Sequence, residues 1–313
     1  MNKNYRFSFR SILIVILSII IFYSFISIAV GVEDVSQDFS SVNVLFIPPI
    51  IGVVLLSIFF RSLIQKSLLN QLGIRLSITE NFSLFLSGLA LILSPGGSGQ
   101  IIKSYFLKEK HDLSISRTIP VIFFERYYDL IAVTVLILIS ILIVFSIESV
   151  LISSIAIVLI FVLSIAFRKR NIFDKLLSLQ KKIKLMKKFE IDEDEFYSST
   201  KLLSKSSSIL KMSALTILIT FWDGIAIYMG FLAFGIDIGY FEVIQFYYTS
   251  IMLGVLSFIP GGIGIVEGGF TLLSSRYLEI SLGVSIIIFI RLTNIWFVTF
   301  LGIITSFRKL FKN

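Results

Sequence analysis

Cysteine is absent from this chain, histidine occurs once and proline five times in 313 residues. The first absence excludes disulfides, thiolate nucleophiles and Cys-based zinc or iron–sulfur centres. The lone histidine, His111, excludes paired-His metal motifs, and beside Asp112 it reads as a solvated loop residue. Charge is scarce as well: 15% of residues are charged against 56% hydrophobic, with 31 Phe and a mean hydropathy of +0.95. A soluble fold cannot bury so much apolar surface, so the bilayer is part of the solvent. Enzyme signatures are missing too. "PGGSGQ" (Pro95–Gln100) lacks the Gly-Lys-Ser/Thr of a Walker loop, and the acidic run Asp192–Glu195 lacks the glycine and spacing of a calcium loop. No metal, cofactor or nucleic-acid partner is expected, and no catalytic residue is assigned.

What is present is a series of eight hydrophobic segments. Six of them are Ser11–Val30, Val44–Phe60, Ile119–Phe145, Ser149–Phe167, Met212–Gly235 and Leu282–Ser306. Each can cross a hydrocarbon core of about 30 Å at about 1.5 Å per residue. The first follows Lys3, Arg6 and Arg10 and is too long for the apolar region of a signal peptide, so it reads as an uncleaved span. Two further segments are interrupted. The stretch 82–107 breaks at Pro95, Gly96, Gly97 and Gly99; the stretch 243–275 breaks at Pro260, Gly261, Gly262 and Gly264. Short apolar arms around a helix breaker predict re-entrant hairpins or discontinuous helices.

Loop charge sets the orientation, because Lys and Arg in short loops stay in the cytoplasm. The N-terminus, loop 61–81 (Arg61, Lys66, Arg75) and the C-terminus (Arg308, Lys309, Lys312) are basic. So is loop 168–211, with 12 Lys or Arg against six Asp or Glu. The alternate loops carry Glu33, Asp34 and Asp38, then Glu148, then Asp237 and Glu242. All basic loops share one side only if each interrupted segment enters and leaves by the same face. The expected fold is therefore all-α and integral to the plasma membrane, with six full spans, two hairpins and both termini cytoplasmic. The lysines Lys181, Lys182, Lys184, Lys187 and Lys188 of the long loop could dock on anionic headgroups, at about 1 kcal/mol per charge.

The breakers belong to a repeat. Pro95 precedes Arg126 by 31 residues, and Pro260 precedes Arg291 by 31; Asp129 and Asn294 each follow their arginine by three. "LGIRL" (Leu72–Leu76) and "FGIDI" (Phe234–Ile238) stand upstream, with Glu80 and Glu242 each seven residues after the glycine. The chain thus reads as one membrane domain, 1–313, with a first half at 44–145, the basic loop 168–211, and a second half at 212–306. The charge argument inverts the halves relative to each other. Inverted repeats with broken helices are a recurrent build of secondary transporters.

Charged residues within spans are expensive, about 2.5–3.5 kcal/mol each on insertion scales. Here they gather near the repeated elements: Lys103, Glu125, Arg126, Asp129, Asp223, Glu267 and Arg291. Two accounts stay open. In one, these residues form internal ion pairs that tie helices together. In the other, hairpin-tip amides with Lys103, Arg126 and Arg291 hold a phosphate headgroup in a shared cavity, tuned by Glu125, Asp129 and Glu267. Gln100 and Asn294 complete the candidate substrate or translocation set.

From Arg61 through "GIRLSITE", "LSPGGSGQIIKSYFL" and "ERYYDL", and again over "IPGGIGIVEGG" and the Arg291 span, the sequence resembles the flippase-like transmembrane region of lysylphosphatidylglycerol synthases. The resemblance covers about residues 40–313. It implies an eight-segment membrane domain that moves phospholipids or lipid-linked glycans between leaflets. Stand-alone relatives often work beside envelope glycosyltransferases. One departure is Gln100, where the family often has glutamate. The synthases' soluble aminoacyl-transfer domain has no counterpart, so lysyl transfer is not implied. The expected function is a flippase or scramblase-like transporter. The alternatives are a membrane scaffold of an envelope glycosyltransferase and an integral membrane transferase.

Overall fold

The apolar runs become long helices in the computed structural model, which describes residues 22–181 and 192–310. The chain opens with α1 (22–30) and the short acidic helix α2 (Val32–Ser40). Among the described residues, five segments are long and apolar enough to cross a membrane: Val44–Gln71, Ile115–Ile143, Ile147–Ala166, Ser206–Ala233 and Ile280–Ser306. They contain α3 (Ile47–Gln71), α6 (Ile115–Ile143), α7 (Ile147–Ala166), α10 (Ser206–Ala233) and the pair α13 (Ile280–Arg291) and α14 (Phe297–Leu310). These five match five of the six expected spans. The sixth, Ser11–Val30, lies mostly outside the described residues. The remaining helices are α4 (Ile78–Leu89), α5 (Ile102–His111), α8 (Arg170–Lys181), α9 (Glu193–Leu203), α11 (Tyr240–Leu256) and α12 (Ile265–Ser274). No strand occurs among the described residues.

Local chemistry explains the helix ends. Pro48 and Pro49 open α3, where a missing N–H costs nothing. Ser146 caps α7 by accepting from the Ser149 amide, with Glu148 in the first turn. Gly73 and Gly235 end α3 and α10 in the same way. At φ +78° and +74° they turn left-handed, Ile74 N–H donates to Leu69, and Ile236 N–H donates to Phe231. A broken helix pair and then an arginine-bearing helix follow each cap, so the element order itself repeats: α3–α4–α5–α6 and α10–α11–α12–α13.

One expectation needs correcting, and two connecting segments hold helices. Arg61 is not in a loop, because α3 runs on to Gln71 with Ile64, Leu68 and Leu69 buried. Residues 31–43 are largely the helix α2, and its Asp38 accepts from Ser285 on α13 at 2.8 Å. The described parts of loop 168–211 hold the short helices α8 and α9 and the start of α10, and they pack on the spans. Phe173 and Phe196 bury against Ile119 of α6, and the Asp192 amide donates to Ser116 at 2.8 Å. Lys182, Lys184, Lys187 and Lys188 lie outside the described residues.

The interior is apolar and continuous. α10 lies between α3 and α6, while α11 packs on α6 and α12. Ile137, Phe231, Ile244, Phe270 and Ile287 are fully buried in this core. Around it, Leu142, Phe145, Leu151, Val158 and Phe161 point outward, as side chains do where lipid tails replace water. α14 packs backbone to backbone on α4: a Cβ on Gly302 would sit 2.3 Å from the Ala90 nitrogen.

Candidate functional site

Both proline-glycine breakers end a helix and turn the chain back. After α4, a 3-10 stretch, Pro95–Ile101, leads into α5, and the Ser94 hydroxyl accepts from the Gly99 amide at 2.5 Å. After α11, Pro260–Gly262 forms a single turn before α12. Gly261, Gly262 and Gly264 adopt φ +64°, +62° and +86°, values that a side chain would strain. In each unit the two arms pack on each other, and the two tips meet. Leu93 of the first tip lies over Gly261 of the second, so close that a Cβ there would come within 2.8 Å of its Cδ2.

Beside the first tip runs a charged seam across three helices. Arg61 on α3 pairs with Asp129 on α6 and, at 2.8 Å, with Asp223 on α10; it also donates to Thr220 at 3.2 Å. Arg126 reaches the same Asp129 at 3.1 Å. One turn away, Lys103 on α5 pairs with Glu125, and both are almost fully buried. The stem of Lys103 lies in a slot made by Gly88, where a Cβ would come within 2.6 Å of it, and its ammonium sits 5.2 Å from the Phe85 ring centre. Arg61, Glu125, Arg126, Tyr128, Asp129 and Thr216 line a small open cleft, with Ile64 and Phe85. It has room for about one water molecule, not for a headgroup. Gln100, in the second half of the first breaker, is fully buried with both amide atoms unpartnered, as is the Ser104 hydroxyl.

A second cluster holds the other tip. Glu267, in the first turn of α12, accepts from the Gly264 amide at 2.7 Å and pairs with Arg291 at 2.9 Å. Arg291 also donates to the Gly261 carbonyl at 2.7 Å. Tyr23 of α1 donates to Glu267 at 3.1 Å and accepts from the Trp296 indole at 3.0 Å. Arg291 is fully buried. It is a clasp for the second tip.

The structure therefore divides the expected site residues. Gln100, Lys103, Glu125, Arg126, Asp129 and Asp223 gather at the first tip and the seam; Glu267 and Arg291 gather at the second. Arg126 and Arg291 occupy equivalent repeat positions but sit in different clusters: Arg126 lines the cleft and pairs with Asp129, and Arg291 pairs with Glu267. Asn294 is half-buried on a π-helical turn, Leu292–Trp296, that splits the last span. Sequence reasoning missed Arg61, Thr220, Tyr23 and Trp296. Arg61 carried a signal, as a lone cation directly after an apolar run. Tyr23 carried none, since its partner Glu267 is 244 positions away.

A helical chain with several long apolar spans, broken helices at the centre and charge buried inside is a multi-pass membrane protein. It belongs to the family of lysylphosphatidylglycerol synthase TM regions, whose pattern it matches over residues 12–302. It is also similar to a UPF0104 membrane protein of Methanothermobacter thermautotrophicus, 28% identical over 112 residues. That match covers 35% of this chain and spans 33% of the archaeal protein's length.

Proposed function

We propose that the protein is a flippase or scramblase-like transporter that carries the polar end of a phospholipid or lipid-linked glycan between leaflets of the plasma membrane. The observation that carries this reading is the polar seam at Arg61, Asp129 and Asp223, which crosses α3, α6 and α10 and adjoins the Lys103–Glu125 pair of the first broken-helix unit. Non-helical backbone at membrane depth is tolerated where it lines a polar cavity, and such tips leave amides and carbonyls for a headgroup. The repeated element order and matching glycine caps support an inverted repeat of six spans and two re-entrant hairpins, with both termini cytoplasmic and halves near 44–145 and 212–306. Equivalent elements touch each other, α3 against α10 and tip against tip, an arrangement compatible with a pseudo-two-fold axis passing between them. The narrow cleft is then one state of an alternating cycle. Arg61, which pins α3 to α6 and α10, is the contact that must yield when it opens. Anionic lipids at the basic segment, and an envelope glycosyltransferase alongside, are the proposed partners.

Reconstitution in liposomes with leaflet-resolved lipid labels tests this. Wild-type protein should move lipid without ATP. Arg126→Lys, at a side chain 34% exposed, should insert normally yet move lipid about tenfold more slowly, because lysine lacks the guanidinium fork. No lipid movement by pure protein, with stable co-purification of a glycosyltransferase, would establish the scaffold role instead. Product formed from a lipid-linked sugar would establish the transferase role.

A further inference from the structure

The two halves touch at equivalent residues, and that contact places their axis; the inference rests on the inverted-repeat reading above. Around the glycine caps the halves are offset by 162 positions, the separation of Arg61 from Asp223. Gly73 thus matches Gly235, Glu80 matches Glu242 and Arg61 matches Asp223. At the breakers and beyond, the offset is 165: Leu93 matches Phe258, Pro95 matches Pro260, Arg126 matches Arg291 and Asp129 matches Asn294. A two-fold operation swaps equivalent residues, so its axis runs midway between them. Arg61 donates to its own counterpart, Asp223, at 2.8 Å. The axis therefore passes through that contact.

Under exact symmetry each contact off the axis would have a partner contact in the other half. The counterpart of Arg61–Asp129 is Asp223–Asn294, and it is not made. Among the described residues, neither Oδ1 of Asp223 nor the Asn294 amide has a hydrogen-bond partner. The tips differ in the same way: Leu93 is half-buried over Gly261, while Phe258 is 73% exposed with a left-handed φ of +55°. So do the helices, since Asn294 lies in the π-helical turn Leu292–Trp296 and the matching stretch of α6, 127–131, is regular α-helix. Each of these helices holds one tip unit. Glu125 of α6 pairs with Lys103, and Arg291 of α13 donates to the Gly261 carbonyl at 2.7 Å. Equivalent segments in unlike conformations, joined at an axis, have the build of a two-state element. We propose that Asp129 and Asn294 take turns at the on-axis Arg61–Asp223 pair, as a switch that exchanges the conformations of the two halves. In the exchanged state Arg61 keeps Asp223 and releases Asp129, and Asn294 donates to Asp223. The π turn passes from the last span to α6, Phe258 packs in, and Leu93 comes out.

The test uses the full-length purified chain in detergent, with single cysteines Leu93→Cys and Phe258→Cys and the rate of their reaction with N-ethylmaleimide. In the otherwise wild-type chain, Phe258→Cys should react faster. Asp129→Asn gives both halves the same residue and removes the ion pair of the present state. It should slow Phe258→Cys and speed Leu93→Cys, each by about threefold to tenfold, the shift that one lost hydrogen bond predicts. Adding Asn294→Leu, which deletes the donor of the exchanged state, should return both rates toward their starting values. General loosening of the fold would raise both rates together. Rates that rise together, stay unchanged, or are not restored by Asn294→Leu overturn the switch. Topology labelling that sets the halves parallel would remove the axis and the switch together. The same variants, assayed for movement of labelled lipid in liposomes, separate this switch from transport. Opposite rate changes without lipid movement leave the switch standing and end the transport reading; lipid movement with unlinked rates does the reverse.

Discussion

Arg291 shows how a residue that looks like a ligand can be a strut. Its guanidinium is fully buried, pairs with Glu267 at 2.9 Å and holds the Gly261 carbonyl at 2.7 Å. Removing one member of a buried pair strands the other at a cost of about 3–5 kcal/mol, whereas removing both is far milder. Arg291→Gln should therefore lower the detergent melting temperature sharply. Arg291→Gln combined with Glu267→Gln should regain most of the loss. An additive double variant would mean that the two side chains do not act as a pair. Arg126 differs in kind, since it is partly exposed in the cleft and shares its single carboxylate partner with Arg61.

The broken-helix units are held at both ends. At the tips, glycine conformations and the Leu93–Gly261 contact fix the turn. At the open end of the first unit, outside the long spans, Glu80 of α4 pairs with Lys110 and, at 2.9 Å, with His111 of α5. Hydrogen bonding from Lys110 above all holds the Glu80 carboxyl below its ordinary range; burial opposes it, and the His111 hydrogen bond adds a lesser lowering. A carboxylate whose pKa is depressed on folding stabilises the fold above its unfolded value of about 4.3, and the contribution fades as pH falls through the lower folded value. Melting temperature below about pH 4.3 should thus fall less steeply in Glu80→Gln than in the wild type. Parallel acid limbs would show that this clamp adds nothing to stability. The breakers themselves were legible because proline and glycine inside apolar runs have few other uses. The clamp was not, because reading 61–81 as a loop hid the end of α3 and the start of α4.

The whole molecule was readable where hydropathy decides structure and unreadable where packing does. Five spans, both breakers and five of the seam's six charges follow from composition and spacing. Two things do not. Asp223 finds Arg61 across 162 positions, and no hydropathy period relates them. Arg126 and Arg291 have equal register in the repeat, yet their side chains enter different clusters, because register fixes position along a helix and not its neighbours. Topology can be measured directly in a chain without cysteine. With Arg75→Cys, Lys205→Cys and Asp237→Cys, all exposed positions, an impermeant maleimide added outside intact cells should label only the third. Labelling of Lys205→Cys from outside would remove the inversion between the halves.

The touching of equivalent parts has an evolutionary consequence. If duplication made the two halves, the face that α3 presents to α10, and the face each tip presents to the other, were once a single surface meeting its own copy. A half-length ancestor would then have worked as a dimer of oppositely inserted copies, with its self-contact at those two places. Fusion freed each side to specialise, and the present asymmetry records the result. One arginine, Arg126, remained at the cleft, while its counterpart, Arg291, became the clasp of the opposite tip.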